Sequence, residues 1–201
     1  MAILVCACVQ ARAAEDGAPD PYRYGIRVLS AAPRQDFRQV VDRAGRGAGL
    51  FVETGVGSGW IAQTRFDYLA YPQVDDPGTA AIASYVTPSA GSLTVNSAAL
   101  GVDLRHPLPV SGWLGRFYGL VGATAIRYEY LSAATVTQAD ANGNPVTGVE
   151  RQKNKTPFKL GVAVGAGVEI ARGLCLAGRF TSVNIDGVTL GTFETSLSYR
   201  F

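Results

Sequence analysis

The strict alternation of apolar with small or polar residues between Phe158 and Ile170 is the feature that most restricts the fold. Every second position in this segment is apolar, and the positions between them begin with Lys159 and Gly161 and end with Glu169. A repeat of two places successive side chains on opposite faces of an extended strand, whereas a helix needs a repeat of about 3.6. The segment therefore predicts a β-strand with one continuous apolar face.

Seven further segments show the same alternation, and clusters of glycine, proline, asparagine and aspartate separate them. Such clusters mark the turns between strands. The predicted fold is all-β, with eight antiparallel strands that run up and down around a barrel. The predicted strands cover residues 22–31, 47–56, 60–71, 93–106, 116–131 and 158–170, a seventh that begins at 174 and an eighth that ends at 201.

The fifth predicted strand, 116–131, carries Arg127 and Glu129 at alternate positions. These two residues define its polar face, so the residues between them are assigned to the apolar face. The predicted apolar face of this strand consists of Tyr118, Leu120, Ile126, Tyr128 and Tyr130.

The connections alternate between short and long. Short connections are predicted at 57–59, 107–115 and 171–173, and longer ones at 32–46, 72–92, 132–156 and 186–190, with one or two helical turns within 36–43. Transmembrane barrels of the bacterial outer membrane have short turns on one side and longer loops on the other. The chain also lacks the run of about 18 apolar residues that a membrane helix requires. A membrane-spanning form of this chain is therefore predicted to be a barrel.

Glycines and aromatic residues indicate which face of the strands is outside. Glycines such as Gly25, Gly101 and Gly165 fall on the polar faces, where side chains would converge inside a narrow barrel. Aromatic residues such as Tyr68 and Tyr199 fall near strand ends on the apolar faces, as in interfacial girdles. The polar face is therefore predicted to line the lumen of a transmembrane barrel. The alternative is a soluble periplasmic barrel that binds a ligand in an apolar cavity.

The N-terminal segment differs in composition from the strands. Residues 2–9 are small or apolar, and 11–14 read Ala-Arg-Ala-Ala before an acidic stretch. We predict a signal peptide at 1–14 that lacks its basic start, a short periplasmic segment at 15–21 and the barrel at 22–201. The net charge is only +2 and the arginines are dispersed along the chain, so no basic surface for nucleic acid is predicted.

Three stretches carry a family resemblance: residues 31–37 (AAPRQDF), residues 45–51 (GRGAGLF) and the terminal LSYRF. They resemble the bacterial outer-membrane β-barrel domain family and are similar to the OmpA-type transmembrane domain. The resemblance implies an outer-membrane location and, at the last strand, an aromatic C-terminal signal for the barrel-assembly machinery. The residues that match this signal are Phe193, Leu197, Tyr199 and Phe201. The chain stops at the barrel, which puts peptidoglycan anchoring in doubt.

The lumen assignment gathers charged side chains that must pair or stay hydrated. We predict a network that fills the lumen of an eight-stranded barrel, whose interior is about wide enough for side chains alone. The alternative is a narrow wet lumen that passes ions or small solutes. The predicted network comprises Arg23, Arg27, Glu53, Arg65, Asp67, Asp103, Arg105, Arg127, Glu129, Lys159, Glu169, Arg179, Glu194 and Arg200.

No catalytic residues, cofactor or metal ligands are predicted. The single histidine, His106, adjoins a predicted periplasmic turn, and Cys175 faces inward as a packing residue. Asp140 lies near two asparagines, but their spacing lacks a calcium-loop pattern. The sequence therefore predicts a monomeric, non-enzymatic barrel with a structural or surface-interaction role. Its expected partners are membrane lipid, lipopolysaccharide and the assembly machinery.

Overall fold

The computed structural model describes residues 22–75, 91–112, 115–142 and 144–201. The predicted signal peptide, the segment 15–21 and much of the predicted loop 72–92 lie outside the described residues. Within the described ranges the chain forms ten strands and one short helix, α1 (Phe37–Val40). The strands are β1 (Tyr22–Gln35), β2 (Gly45–Gly57), β3 (Trp60–Ala70), β4 (Val74–Asp75), β5 (Ser92–Gly112), β6 (Gly115–Ala139), β7 (Pro145–Lys155), β8 (Lys159–Ala171), β9 (Leu174–Ile185) and β10 (Val188–Arg200).

Eight of these strands close into a ring by antiparallel pairing. The order is β5, β3, β2, β1, β10, β9, β8 and β6, and β6 pairs back with β5. The predicted eight-stranded up-and-down barrel is confirmed. Strands β4 and β7 are additions to the ring, because β4 pairs only with β5 and β7 pairs only with β6.

The two ends of the barrel differ. One end, called the turn end, holds the start of β1, the end of β10 and the short β2–β3 and β8–β9 connections. The other end, called the loop end, holds α1, β4, the β6–β7 hairpin and the β9–β10 turn. Within the described ranges, no helix is long and apolar enough to cross a membrane.

The hairpin turns are tight where the backbone adopts positive φ. Asp186 and Gly187 have φ of 50° and 89°, and Ser58 and Gly59, between the paired residues Gly57 and Trp60, have φ of 52° and 78°. Two consecutive residues with positive φ are typical of two-residue hairpin turns, because this backbone twist matches that of the flanking strands. The predicted loop 186–190 is therefore shortened to two residues, and β10 begins at Val188.

Several other connections are more ordered than the sequence predicts. The predicted turn 107–115 is largely strand, because β5 continues to Gly112 and β6 begins at Gly115. The predicted loop 132–156 is a β-hairpin formed by the far part of β6 with β7. Threonine and valine residues that favour strands account for this pairing. The helical turn predicted within 36–43 is present as α1.

The outward face of the ring is apolar. Leu160 is 81% exposed, and other large apolar side chains on the outward face are also exposed. Examples are Ile26, Val28, Leu50, Phe66, Leu100, Val102, Val121, Val162, Val164 and Leu197. A continuous band of this kind on every strand of the ring requires lipid rather than water around it.

The face assignment of β6 is wrong in the sequence prediction. Tyr118, Leu120, Ile126, Tyr128 and Tyr130 are buried in the lumen rather than exposed to lipid. The alternation itself is correct, but its polarity is inverted. Ile126, Tyr128 and Tyr130 belong to the apolar lumen near the loop end, whereas Tyr118 packs against Arg105 near the turn end. Outward-facing charges are tolerated at the loop end, beyond the apolar outer band.

Candidate functional site

Two layers of side chains fill the lumen. The layer toward the turn end, called the ion network, contains five arginines and five carboxylates. Equal numbers of opposite charges leave this layer without formal net charge. Its members are Arg27, Arg65, Arg105, Arg179, Arg200, Glu53, Asp67, Asp103, Glu169 and Glu194.

The central group of the network lies around Asp103. Its carboxylate accepts hydrogen bonds from Arg65 Nε at 2.8 Å and from Arg179 Nη1 at 3.1 Å. Asp67 Oδ1 forms an ion pair with Arg27 Nε at 3.1 Å, and Asp67 also pairs with Arg65. Residues from β1, β3, β5 and β9 therefore meet at one level of the barrel.

A second group lies closer to the turn end, around Glu53. Arg105 pairs with Glu53, and Gln63 Nε2 donates to the same carboxylate at 2.8 Å. Arg200 spans two acids, with Nη1 3.0 Å from Glu53 Oε2 and Nη2 2.8 Å from Glu169 Oε1. Multiple charge-assisted hydrogen bonds of this kind offset the cost of burying the charges.

Interior glycines provide the space for these groups. A Cβ atom at Gly101 would lie 2.6 Å from Arg65 Nη2, and one at Gly49 would lie 2.2 Å from Asp67 Oδ1. At Gly122 it would meet Asp103 Oδ1 at 2.1 Å. Any larger residue at these positions would displace a charged group from its partner.

The second layer, called the apolar plug, fills the lumen toward the loop end. Phe37 of α1 is fully buried, with its ring centroid 5.1 Å from that of Tyr71 and 5.2 Å from that of Tyr128. Both contacts have edge-to-face geometry, which aromatic pairs prefer. The plug consists of Leu29, Ala31, Phe37, Val40, Val41, Leu69, Tyr71, Leu93, Val95, Ala99, Ile126, Tyr128, Tyr130, Val183, Ile185 and Leu190.

Little space remains inside the ion network. A cavity of about 20 Å³ is lined by Arg27, Asp103, Arg105 and Arg179, among others. This is close to the smallest cavity that accommodates a single water molecule. A hydrated ion does not fit into this space.

Four of the predicted lumen residues lie elsewhere. Arg127 and Glu129 face outward on β6, a difference that follows from the inverted polarity of that strand. Lys159 lies at the loop end of β8, where its Nζ is 3.0 Å from Asp186 Oδ1, away from the buried network. Arg23 occupies an inward-facing position of β1, but its side chain is exposed at the turn end.

The outward face of the β6–β7 hairpin carries an exposed cluster of charges. Lys153 Nζ lies 2.8 Å from Glu129 Oε1, and Lys155 Nζ lies 3.3 Å from Glu129 Oε2. The hydrogen bond from Lys153 lowers the pKa of Glu129 below its usual value. Arg151 is on the same face of β7, two residues from Lys153. With Arg127, four cations and one carboxylate occupy this face, which is called the basic stripe.

A sequence model of the family described as "Outer membrane protein beta-barrel domain" matches residues 1–201. The chain belongs to this family. The protein is therefore a bacterial outer-membrane barrel, and the exposed apolar band is its lipid-facing surface. The alternative of a soluble periplasmic barrel is wrong, since that band faces outward and the polar side chains face inward. In barrels of this class, short turns and termini face the periplasm, so the turn end is periplasmic and the loop end extracellular.

Solved structures similar to this chain include three outer-membrane proteins. Ail of Yersinia pestis, in complex with the heparin analogue sucrose octasulfate, is 14% identical, with 90% of this chain and 97% of that chain covered and a TM-score of 0.46. The N-terminal barrel domain of Pseudomonas aeruginosa OprF is 8% identical, with coverages of 89% and 97% and a TM-score of 0.48. Neisserial surface protein A is 12% identical, with coverages of 90% and 98% and a TM-score of 0.46. No curated protein matches the chain.

The remaining candidate residues lie apart from one another. His106 packs against Trp60 near the periplasmic end, with ring centroids 4.6 Å apart. Cys175 is buried and receives Arg105 Nη2 at 3.9 Å from its Sγ. Asp140 accepts backbone hydrogen bonds from Asn142 and Asn144 at 2.8 Å, which closes the hairpin tip. In the part of the chain that the structure describes, no group of three or more His, Cys, Asp or Glu residues is arranged to hold a metal ion.

Sequence reasoning missed two sets of residues. Lys153 and Lys155 were assigned to a loop, and their spacing of two within a threonine- and valine-containing segment was the available signal for a strand face. Arg116 and Arg172 adjoin predicted periplasmic turns, and they line a cavity at that end of the barrel. No pattern in the sequence indicates that these two arginines lie close together.

Proposed function

We propose that this protein is a closed, non-conducting and non-enzymatic barrel that serves as a scaffold for its extracellular hairpin. The observation that carries the proposal is the filling of the lumen by two successive layers, the ion network and the apolar plug. A path for ions or solutes would require Phe37 to leave its buried position and the ion pairs of Asp103 to separate. The transport alternative therefore needs a rearrangement of both layers.

Electrical recording tests the closed state. The full chain is reconstituted into planar lipid bilayers in concentrated KCl, and we expect no stepwise current. The variant Phe37→Ala should also remain closed, because it removes part of the plug and leaves the ion network in place. Current steps from the wild type would overturn the proposal. Steps from Phe37→Ala alone would show that the plug, and not the network, closes the barrel.

The hairpin presents the interacting surface. Beyond Ala133, where β6 last pairs with β5, six more residues of β6 pair only with β7. At about 3.4 Å per residue, this part extends about 20 Å beyond the rim of the barrel. Most of β7 is exposed, including Val146 and Val149. The hairpin is thus free to contact molecules outside the cell.

The basic stripe at the base of this hairpin fits the phosphate groups of lipopolysaccharide. Lys153 and Lys155 extend the outward, lipid-facing side of β6, and Arg127 lies 5.8 Å from the Phe158 ring centroid at the upper edge of the apolar band. Cations at this height would contact the headgroups of the outer leaflet. A basic residue near an anionic surface contributes about 1 kcal/mol to binding.

The double variant Lys153→Gln/Lys155→Gln tests this contact. Its affinity for lipopolysaccharide in detergent micelles should fall about tenfold, in line with the loss of two such contacts opposed by one carboxylate. The matched control is Arg116→Gln/Arg172→Gln, which removes two positive charges at the periplasmic end. Equal losses of affinity in both variants would mean that the effect comes from net charge alone and not from the position of the two lysines.

The C-terminal residues support recognition by the barrel-assembly machinery. Phe193, Leu197, Tyr199 and Phe201 all face outward on β10 or just after it, and Phe201 is 70% exposed. We expect Phe201→Ser to lower the fraction of heat-modifiable barrel in the outer membrane of expressing cells. The control Val56→Ser likewise replaces an exposed apolar residue with serine, at the periplasmic end of β2, and should leave that fraction unchanged. Each barrel is proposed to act as a monomer.

A further inference from the structure

The periplasmic end of the barrel contains a cavity of about 720 Å³ that the ion network does not fill. This volume lies within the range of small-molecule sites in proteins. Its wall combines apolar residues, such as Ile61, Phe117 and Ile170, with a ring of arginines. The arginines are Arg23, Arg105, Arg116, Arg172 and Arg200.

The cavity has an excess of positive charge. Arg105 and Arg200 are neutralised by Glu53 and Glu169, as in the ion network. The other three arginines are exposed and form no salt bridge with any residue that the structure describes. Five guanidinium groups therefore face two carboxylates, which leaves a formal charge of +3 around this cavity.

The cavity is closed toward the membrane interior. The Arg105 guanidinium lies 3.9 Å above the centre of the Tyr118 ring, and both side chains form the inner wall. Beyond them lies the ion network, which encloses a cavity of about 20 Å³. A molecule that enters from the periplasm therefore stays at the mouth and cannot pass through.

We infer that this mouth is a binding site for a small periplasmic polyanion that carries two or more phosphate or carboxylate groups. Guanidinium groups bind such oxyanions with paired, charge-assisted hydrogen bonds. Arg116 and Arg172 supply the free donors, and Arg23 lies on the same rim. The half-apolar wall accommodates the carbon skeleton of an organic anion.

Calorimetric titration of the full chain in a zwitterionic detergent tests the site, with inorganic pyrophosphate and citrate as probes. We expect saturable binding of at least one probe that weakens as salt is added, because exposed charges are screened. Acetate, with a single carboxylate, should bind at least about tenfold more weakly, since it engages fewer guanidinium groups.

Two double variants make the test specific. Arg116→Gln/Arg172→Gln should weaken probe binding about tenfold or more, since each substitution removes one charged donor. Arg38→Gln/Arg43→Gln removes the same charge at exposed positions of the loop end and should leave binding unchanged. A mobility shift on boiling confirms that both variants fold. The absence of saturable binding to the wild type, or equal weakening in both variants, would overturn the inference.

Discussion

The ion network and the apolar plug occupy successive levels of the lumen, but they are held together by different physical means. In the network each charged group depends on specific partners, as Asp103 does on Arg65 and Arg179. In the plug, contacts such as those of Phe37 are short-ranged and join uncharged side chains. The comparison indicates that the lumen is filled by two kinds of layer that respond differently to substitution. A buried charge that loses its partner is strongly destabilising, whereas an apolar layer can repack.

The largest expected effect is that of Asp103→Asn. The substitution keeps the shape of the side chain but leaves Arg65 and Arg179 with one fewer counter-charge. We expect the free energy of unfolding to fall by about 3 kcal/mol or more, as for other broken buried ion pairs. Urea unfolding in lipid vesicles, followed by tryptophan fluorescence and gel mobility, measures this change.

The matched control for Asp103→Asn is Asp42→Asn, the same change at an exposed loop position. It should alter stability by less than about 0.5 kcal/mol. Similar losses in both variants would mean that the ion network does not contribute as its geometry suggests.

Phe37→Ala is expected to have an intermediate effect. Truncation of a large buried aromatic residue to alanine lowers the free energy of unfolding by about 3 to 5 kcal/mol. Because α1 is a single turn in a loop, it can undock while the strands remain paired, so the global loss should be only about 2 kcal/mol. Hydrogen exchange should quicken in α1 and at the extracellular ends of the strands. Faster exchange throughout the strands around Asp103 would contradict the separation of the two layers.

The smallest effect is expected outside the lumen, at Glu129. Its exposed pairs with Lys153 and Lys155 resemble those of the network in geometry but are solvated, so Lys153→Gln should change stability by less than about 1 kcal/mol. The same substitution should raise the pKa of Glu129 toward its ordinary value, which carboxyl NMR titration detects. Glu129 has a lowered pKa when folded, so its small contribution is present above the unfolded pKa and is lost as the pH falls through the folded pKa. An unchanged titration midpoint would argue against the Lys153 contact.

The sequence was sufficient for the eight strands of the ring and for most of their faces. In β3, the alternation of Gln63, Arg65 and Asp67 with Thr64 and Phe66 matches the observed faces, because the lumen at that level is polar and the exterior apolar. The same rule failed in β6. Tyr128 and Tyr130 belong to an apolar lumen, while Glu129 faces solvent beyond the lipid. Alternation identifies the two faces of a strand. It does not tell which face is inside when the two ends of the strand lie in different surroundings.

The pairing within the lumen was not accessible from the sequence. Arg65 and Arg105 both face inward, but Arg105 lies opposite Ile61, four residues from Arg65 along β3, so that Arg65 joins the central group around Asp103 and Arg105 pairs with Glu53. The choice depends on the stagger between strands and on the space left by glycines such as Gly101. Neither the stagger nor this space can be derived from the sequence without the structure of the closed ring.

The ion network also bears on how the barrel closes. The first and last strands meet along the β1–β10 pairing, and the network crosses it twice: Arg27 of β1 pairs with Glu194 of β10, and Arg200 of β10 pairs with Glu53 of β2. A sheet left open at this seam would break both pairs, although each of the four charges would keep a partner on its own side of the seam, namely Asp67, Arg179, Arg105 and Glu169. The loss of these two contacts disfavours partly closed forms relative to the closed ring.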